Sequence, residues 1–190
     1  MKILITGGGG FLGLHLASYL RKKGCVLTLV DIHQFDKKEY VKDYALVICD
    51  VRNRKKLDFL VKGQDIIIHA AAALPLWKKK DIYTTNINGT KNVLELAKKH
   101  KAKRVIFISS TAVYGIPKKH PIEETDPRVG VGPYGESKIL AEDLCFRAME
   151  EGLTVTVLRP KTFVGTRRLG VFEILFDWIH DGKRIPVIGR

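Results

Sequence analysis

The stretch that decides the fold is KILITGGGGFLGLHLASYL, residues 2–20. It opens with a short apolar and β-branched run, Lys2 to Thr6, which is typical of a strand buried on both faces of a parallel sheet. Four glycines follow, and apolar residues then recur at helical spacing from Phe11 to Leu20. The glycines therefore form a turn between a strand and a helix, where backbone N–H groups and the helix dipole can bind a pyrophosphate.

The glycines fit two spacings of a nucleotide-binding turn. Gly8, Gly10 and Gly13 match G-x-G-x-x-G, whereas Gly7, Gly10 and Gly13 match G-x-x-G-x-x-G. In either spacing one glycine permits the tight turn, a second lets a phosphate approach the backbone, and Gly13 lets the helix lie close to the strand. Because glycine clusters also occur in flexible loops, the prediction depends on the position of this cluster between a strand and a helix.

The composition is that of a soluble globular protein, with 190 residues, 45% of them hydrophobic and 28% charged. The formal charge of +13 is unusual. The lysines are spread over helix ends and loops, and no predicted helix carries a basic stripe interleaved with aromatic residues. We therefore interpret the charge as a solvated surface and expect no nucleic-acid partner.

The three cysteines, Cys25, Cys49 and Cys145, lie far apart and have no metal-ligand spacing. We expect them to be buried, reduced thiols, and we expect no metal site. The first strand begins at once, without a signal peptide, and no apolar run has the length needed to span a bilayer. These features predict a cytoplasmic protein with no membrane partner.

Strand and helix patterns alternate along the whole chain. Further strands are predicted over residues 25–30, 45–49, 65–69, 104–108 and 154–158, and further helices over 53–61, 81–99 and 133–151. This alternation predicts the α/β class and a Rossmann-type doubly wound parallel sheet with helices on both faces. In such a sheet, ligands bind beyond the carboxyl ends of the strands.

Two further strand ends carry residues suited to a dinucleotide. Asp31 ends the second strand, 18 positions after Gly13, where a Rossmann unit places the hydrogen bond to the adenosine ribose. A carboxylate there repels a 2′-phosphate, so NAD is favoured over NADP, although an Asp in that place can also be a helix N-cap or a turn residue. The small residues Ala70–Ala72 would let adenine and ribose lie against the backbone, but tight packing needs the same residues.

The residues suited to proton transfer lie in the second half of the chain. Tyr134 and Lys138, in YGESK, are four residues apart and share one face of a predicted helix. A lysine ammonium beside the tyrosine, together with a positively charged nicotinamide, favours the phenolate and can lower its pKa from about 10. A hydroxyl from Ser110 or Thr111, after the fifth strand, can hold the substrate oxygen. Y-x-x-x-K alone also occurs as a solvated helix pair.

These motifs occur together and in a fixed order. The chain resembles the extended short-chain dehydrogenase/reductases, the NAD-dependent epimerase/dehydratase group, over essentially all of its 190 residues. The resemblance is carried by TGGGGFLG, Asp31, Asp50-Val51, HAAA, NINGTKNVLELA, SSTAVYG, YGESKILAE and LRPKTFVG.

The resemblance implies a role for each matching residue. The turn that holds the pyrophosphate would contain Gly7, Gly10, Phe11, Leu12 and Gly13, while Asp31 would bind the adenosine ribose and Asp50 and Val51 the adenine, beside Ala70, Ala71 and Ala72. Tyr134 would be the acid/base, Ser110 the catalytic hydroxyl with Thr111 as the alternative, and Lys138 the residue that binds the nicotinamide ribose and tunes Tyr134. Asn86 would have a structural hydrogen-bonding role. Contacts to substrate would come from Thr111, Thr162 and Arg167.

The activity implied by the resemblance is that of an NAD-dependent epimerase/dehydratase acting on a nucleotide-sugar by hydride transfer. Thr162 stands where sugar-nucleotide members commonly carry Asn, and ALPLWKKKDIYTT is more apolar than is usual for sugar epimerases. A hydroxysteroid- or flavonol-type alcohol dehydrogenase is therefore the alternative, in which Trp77 either lines an apolar substrate pocket or packs in the fold. Arg167 and Arg168 could bind a diphosphate or be solvated.

The domain organisation follows from the same resemblance. We predict an NAD-binding Rossmann domain over residues 1–165 and the beginning of a truncated substrate-binding domain over 166–190, with a helix over 172–179 and a strand over 185–188. Because family members run well past this length, a non-catalytic NAD-binding module is a further alternative. The family also implies a possible homodimer through the helices at 81–99 and 134–151.

Overall fold

A computed structural model of the protein describes residues 1–36, 38–40, 43–117, 119–165 and 172–184. Six strands form one parallel sheet in the order β3-β2-β1-β4-β5-β6. This order confirms the predicted doubly wound sheet, because β2 and β3 lie on one side of β1 whereas β4, β5 and β6 lie on the other. The strands are β1 Lys2–Thr6, β2 Val26–Asp31, β3 Ala45–Ile48, β4 Ile66–His69, β5 Arg104–Ile108 and β6 Val155–Leu158.

The helices agree with the predicted ones apart from one interruption. They are α1 Phe11–Lys22, α2 Arg54–Val61, α3 Lys79–Tyr83, α4 Thr90–Lys99, α5 Gly132–Glu150 and α6 Phe172–His180. The helix predicted over 81–99 is divided by a π-helical turn, Thr84–Gly89, which separates α3 from α4. The helix predicted over 172–179 is α6, whereas the strand predicted over 185–188 lies outside the described residues. The boundary between two domains at residue 165 stays a prediction.

The sheet separates two hydrophobic cores, since successive side chains of a buried strand point to opposite faces. On one face Leu4, Ile67 and Phe107 pack with residues of α2, α4 and α5. On the other face Ile3 and Ile5 pack with Leu14 and Ala17 of α1. Both faces of the strands are therefore buried, and the carboxyl edge of the sheet is the place where side chains of many strands meet.

The basic end of α4 is neutralised locally. Lys98 pairs with Glu151, and Lys99 and His100 both pair with Asp58, at distances of 2.8, 2.7 and 2.6 Å. The basic residues at this end of α4 therefore have acidic partners within the chain.

The cysteines form no disulfide: Cys49 and Cys145 are buried and Cys25 is half-buried. Within the described ranges, no helix has both the length and the apolar character needed to cross a membrane.

Candidate active site

The glycine turn has the geometry that the sequence predicted. Gly7 has a φ of +70°, in the left-handed region that favours glycine. Gly8 donates its N–H to Val30 at 2.9 Å and accepts the Tyr40 hydroxyl at 2.9 Å, so the turn is fixed to β2 and to the loop beyond it. Helix α1 begins directly after Gly10, and no side chain caps it. Its first-turn N–H groups are therefore available to an anion.

The glycine turn leaves little room for side chains at its glycine positions. A Cβ at Gly13 would lie 2.4 Å from the carbonyl oxygen of Gly7, so α1 contacts the turn too closely for any side chain there. A Cβ at Gly9 would lie 3.0 Å from the Asp31 carboxylate. At Gly10 the nearest atom is 3.3 Å away, and the remaining space opens into a cavity that Gly10 lines. This arrangement fits a pyrophosphate placed against bare backbone.

Asp31 is oriented by the backbone around it. Its Oδ2 accepts the N–H of Gly9 at 2.9 Å, and its Oδ1 accepts the N–H of His33 at 3.1 Å. These two bonds fix the carboxylate at the end of β2, on the wall of the cavity. The remaining lone pairs of the carboxylate can accept from a ribose hydroxyl.

Asp50 and Val51, after β3, also line the cavity, but Asp50 already has a strong partner. The Arg52 guanidinium binds its carboxylate at 2.7 Å and the Arg52 N–H binds it at 2.8 Å. This pairing lowers the pKa of Asp50. The Arg52 guanidinium also donates hydrogen bonds to Asp81 and Thr84, both at 3.1 Å, and thereby links the end of β3 to the π-helical turn.

Ala70–Ala72 form a further part of the cavity wall, directly after β4. The Ala71 N–H donates to the Thr6 hydroxyl at 3.3 Å, and the same hydroxyl lies 2.7 Å from Nδ1 of His69. Nε2 of His69 lies 3.0 Å from the hydroxyl of Thr90, which itself donates to the carbonyl of Asn86 at 2.6 Å. His69 is 1% exposed, and burial lowers its pKa to about 3.

Ser110 and Tyr134 come together beyond β5, whereas the neighbouring Ser109 is used elsewhere. The Ser110 hydroxyl accepts the N–H of Ala112 at 3.1 Å. Burial raises the pKa of Tyr134, and the nearby Ser110 side chain partly opposes this. The Ser109 hydroxyl instead donates to the buried Glu142 at 2.6 Å. Of the two serines, Ser110 is therefore the one that influences the tyrosine, while Ser109 binds Glu142.

Lys138 is 2% exposed and reaches the cavity from the next turn of α5. Its Nζ donates to the Ile108 carbonyl at 2.9 Å and lies 5.0 Å from the Phe107 ring centroid and 5.8 Å from that of Tyr134. Burial lowers the pKa of Lys138 to about 8. The expected lowering of the Tyr134 pKa is not produced by these side chains alone, because burial dominates.

Asn86 shows the structural role that the resemblance implied. Its side chain is 2% exposed, accepts the N–H of Ala73 at 2.8 Å, and donates to the Ala73 carbonyl at 3.2 Å and the Ser137 hydroxyl at 2.9 Å. It therefore joins the π-helical turn to the chain after β4 and to α5. Turns of this kind often lie at functional sites, and Thr85 of the same turn lines the cavity.

Sequence reasoning did not find the buried ionic network under the site. Glu142 is fully buried and accepts two bonds from Arg159, both at 2.8 Å, and one from Arg128 at 3.2 Å, in addition to the Ser109 hydroxyl. Arg159 also donates to Tyr114 at 2.6 Å. The spacing of Glu142 four residues after Lys138 was the available signal, since it places both on one side of α5.

One cavity of about 520 Å³ connects most of these residues, a volume typical of a cofactor site. At one end lie Asp31 and Asp50, and at the other lie Tyr134 and Lys138. The cavity is lined by the predicted residues Gly7, Gly10, Phe11, Leu12, Asp31, Asp50, Val51, Ala70, Ala71, Ala72, Tyr134 and Lys138. Residues of such different strands meet because all the strands are parallel and end at one edge.

The residues predicted to contact substrate are not among those that line the cavity, or lie outside the described residues. Thr162 is exposed, and its neighbour Phe163 lines the cavity and stacks on Phe11, with ring centroids 6.1 Å apart. Arg167 lies outside the described residues, as does Arg168. Thr111 begins a short 3₁₀ turn after Ser110 and is half-buried. Among the residues that the structure describes, no group of three His, Cys, Asp or Glu could hold a metal.

Trp77 lines the cavity on the side of the segment that follows β2. Its ring meets the ring of His33 edge-on, with centroids 6.5 Å apart, and both residues line the cavity near Asp31. Trp77 therefore contacts the segment that follows β2.

Comparison with known proteins agrees with this geometry. A model of the NAD dependent epimerase/dehydratase family matches residues 3–190. The chain is 32% identical over 195 residues to UDP-glucose 4-epimerase of Halalkalibacterium halodurans, covering 99% of this chain and 58% of that protein. It is 34% identical over 180 residues to UDP-N-acetyl-alpha-D-glucosaminuronate decarboxylase of Bacillus cytotoxicus. This match covers 87% of this chain and 56% of that protein. The crystal structure of UDP-glucuronic acid 4-epimerase from Bacillus cereus in complex with NAD superimposes with a TM-score of 0.87 at 27% identity, covering 96% and 64%.

The first three curated relatives are longer than this chain, which spans between 47% and 58% of their lengths. The matching family is NAD dependent and the solved neighbour holds NAD, so NAD is the cofactor to which the glycine turn and the cavity correspond. The chain belongs to the NAD dependent epimerase/dehydratase family.

Proposed function

We propose that the protein is an NAD-dependent epimerase or dehydratase that acts on a nucleotide-sugar, with Tyr134 as its acid/base. The observation that carries the proposal is the single cavity with Asp31 at one end and Tyr134 and Lys138 at the other. NAD, when bound, accepts a hydride from a carbinol carbon and can return it.

Different residues along the cavity would bind different parts of NAD. The glycine turn and the uncapped start of α1 would hold the pyrophosphate, and Asp31 would accept from the adenosine ribose. Lys138 would bind the nicotinamide ribose through its Nζ. These contacts would orient the cofactor along the carboxyl ends of β1 and β4.

Tyr134 would move the proton of the reacting hydroxyl. Its Oη would take the proton of the substrate carbinol and later give it back, while the Ser110 hydroxyl donates a hydrogen bond to the same substrate oxygen. Tyr134 would first release its own proton to solvent, and the positive charge of Lys138 would favour the phenolate that then accepts the substrate proton. Burial of Tyr134 and Lys138 strengthens this charge interaction because little water screens it.

The nature of the relatives supports a nucleotide-sugar as the substrate. The Halalkalibacterium and Bacillus proteins are named for UDP-sugars. The diphosphate of such a substrate would meet the segment after β6, where Phe163 lies at the rim of the cavity. Thr162 and Arg167 in that segment remain proposed substrate contacts, as does Thr111 after β5.

The experiment is a substrate comparison on this chain with NAD. UDP-, GDP- and dTDP-sugars and a hydroxysteroid alcohol are each incubated with the protein, and the sugar products and NADH are measured. Conversion of a nucleotide-sugar to its epimer or dehydrated product supports the proposal. NADH formation from the hydroxysteroid alone would favour the alcohol dehydrogenase instead. NAD binding without any turnover would favour a non-catalytic module.

A further inference from the structure

The contact between His33 and Trp77 joins two segments that are not neighbours in the sheet. His33 follows β2 and Trp77 lies in the loop after β4, and β1 separates these two strands. A contact between their loops therefore spans the carboxyl end of β1, where the glycine turn lies. We call this pair the aromatic bridge.

The aromatic bridge faces the adenosine part of the cavity. Both rings line the cavity together with Asp31, whose Oδ1 accepts the N–H of His33 itself. Trp77 is still 37% exposed, so much of the surface of its large ring is not covered by other residues. An aromatic ring exposed toward a nucleotide site is a surface on which a base or ribose can pack.

The neighbours of Trp77 show that its position is specific. Leu76, the residue before it, is 99% exposed and is not among the residues that line the cavity. The Trp77 N–H donates to the Leu74 carbonyl at 3.0 Å, which forms a turn that directs the loop back toward β2. The edge-on geometry and the distance of 6.5 Å are those of a favourable aromatic contact.

We propose that the aromatic bridge closes over the adenosine half of NAD and slows its release, with Trp77 packing on the nucleotide and His33 supporting it. This inference rests on the assignment of the cavity to NAD under the proposed function. It adds an aromatic contact to the adenosine half, which the backbone N–H groups of the glycine turn and the Asp31 carboxylate do not supply.

The first test uses fluorescence. The chain has two tryptophans, so the variant Trp178→Phe leaves Trp77 as the single reporter. After removal of any carried-over nucleotide, NAD and ADP-ribose should change Trp77 emission, whereas nicotinamide mononucleotide should not. An emission change with nicotinamide mononucleotide alone would overturn the placement of Trp77 at the adenosine half.

The second test measures the rate of NAD release by stopped flow in three variants. Trp77→Ala should release NAD about tenfold faster, as expected for the loss of one stacking contact. Trp77→Phe should recover most of the retention, and Leu76→Ala, the matched control in the same loop, should behave as wild type. Circular dichroism checks that the partly exposed Trp77 can be replaced without loss of the fold.

The outcomes separate the two proposals. Normal NAD binding by the wild-type chain with equal release from Trp77→Ala and Leu76→Ala overturns the aromatic bridge but not the proposed function. Absence of NAD binding by the wild-type chain overturns the cofactor assignment and the aromatic bridge with it.

Discussion

Tyr134 and Lys138 lie one helical turn apart, and burial favours the neutral form of each. It raises the pKa of the Tyr134 phenol and lowers that of the Lys138 ammonium to about 8. At neutral pH Lys138 is therefore still mainly protonated, and Tyr134 is protonated as well. A positively charged nicotinamide beside them is the additional charge that would favour the Tyr134 phenolate, so proton transfer is expected to depend on the oxidised cofactor.

His69 is a buried histidine whose hydrogen bonds define its neutral form. Thr90 donates to Asn86, so its oxygen accepts from Nε2 of His69, and Nδ1 then accepts from Thr6. Protonation of Nδ1 would place a positive charge in the buried interior, and the nearby positive charge of Lys138 also opposes it. This explains physically why the folded protein keeps His69 neutral.

The low pKa of His69 predicts a loss of stability in acid. The unfolded histidine binds a proton below pH about 6.5, whereas the folded one binds it only below about 3. The contribution of His69 to the free energy of unfolding is therefore fully present above pH about 6.5. As the pH is lowered from about 6.5 to about 3, this contribution falls by up to about 1.4 kcal/mol per pH unit.

The measurement is the free energy of unfolding against pH for His69→Gln. Its slope below neutral pH should be smaller than that of wild type, whereas His180→Gln, at a side chain that is 91% exposed, should keep the wild-type slope. Equal slopes for wild type and His69→Gln would contradict the prediction.

At the scale of elements, the glycine turn and α1 act as one unit. Gly13→Ala would place a Cβ 2.4 Å from the Gly7 carbonyl and should lower the free energy of unfolding by more than about 2 kcal/mol. Gly10→Ala meets nothing closer than 3.3 Å and should cost less than about 1 kcal/mol. Its methyl group would nevertheless occupy the cavity and weaken NAD binding by at least about tenfold.

Denaturant unfolding and NAD titration of the two variants give the comparison. If Gly10→Ala bound NAD as wild type does, the pyrophosphate would not lie at this turn. If Gly13→Ala were as stable as wild type, the close packing of α1 on the turn would not hold.

Local patterns explain which elements were predictable. The strand β1, the glycine turn and the Tyr134–Lys138 pair are defined by residues within a few positions of each other, so periodicity and spacing reveal them. The π-helical turn was not predictable, because its sequence, TTNING, contains no proline to mark an interruption and apolar residues at helical spacing follow it. Its cause is tertiary, since the buried Asn86 bonds to Ala73 and Ser137.

At the scale of the whole molecule, Glu142 ties together α5, β5, β6 and the loop before α5. Its partners Arg128 and Arg159 are 14 and 17 residues away in the chain, and they belong to segments that only the strand order brings together. The local spacing shows only that Lys138 and Glu142 share one side of α5, and does not reveal which arginines Glu142 binds. The contact of Trp77 with His33 was unpredictable for the same reason.

Removal of the Glu142 charge should destabilise the whole fold. Glu142→Gln would leave Arg159, with a side chain 14% exposed, facing a neutral group, while Arg128, at 26%, would keep Asp143 as an acidic partner. We expect a loss of about 3 kcal/mol in the free energy of unfolding, since breaking a buried ion pair leaves uncompensated charge.

Glu95→Gln is the matched control for this change. Its ion pair with Arg54 is exposed on both sides, at 42% and 49%, and should contribute less than about 1 kcal/mol. Equal losses in the two variants, measured by denaturant unfolding, would show that the Glu142 network is not held in a water-excluded interior.

The most direct test of Tyr134 as the acid/base is the rate of substrate turnover by Tyr134→Phe with saturating NAD and the nucleotide-sugar found in the substrate comparison. The phenylalanine keeps the ring but removes the hydroxyl, so NAD affinity should stay near wild type while turnover falls by about 10²- to 10⁴-fold. Tyr19→Phe, at an exposed position of α1, should turn over as wild type does. Near wild-type turnover by Tyr134→Phe would contradict the assignment of this residue as the acid/base.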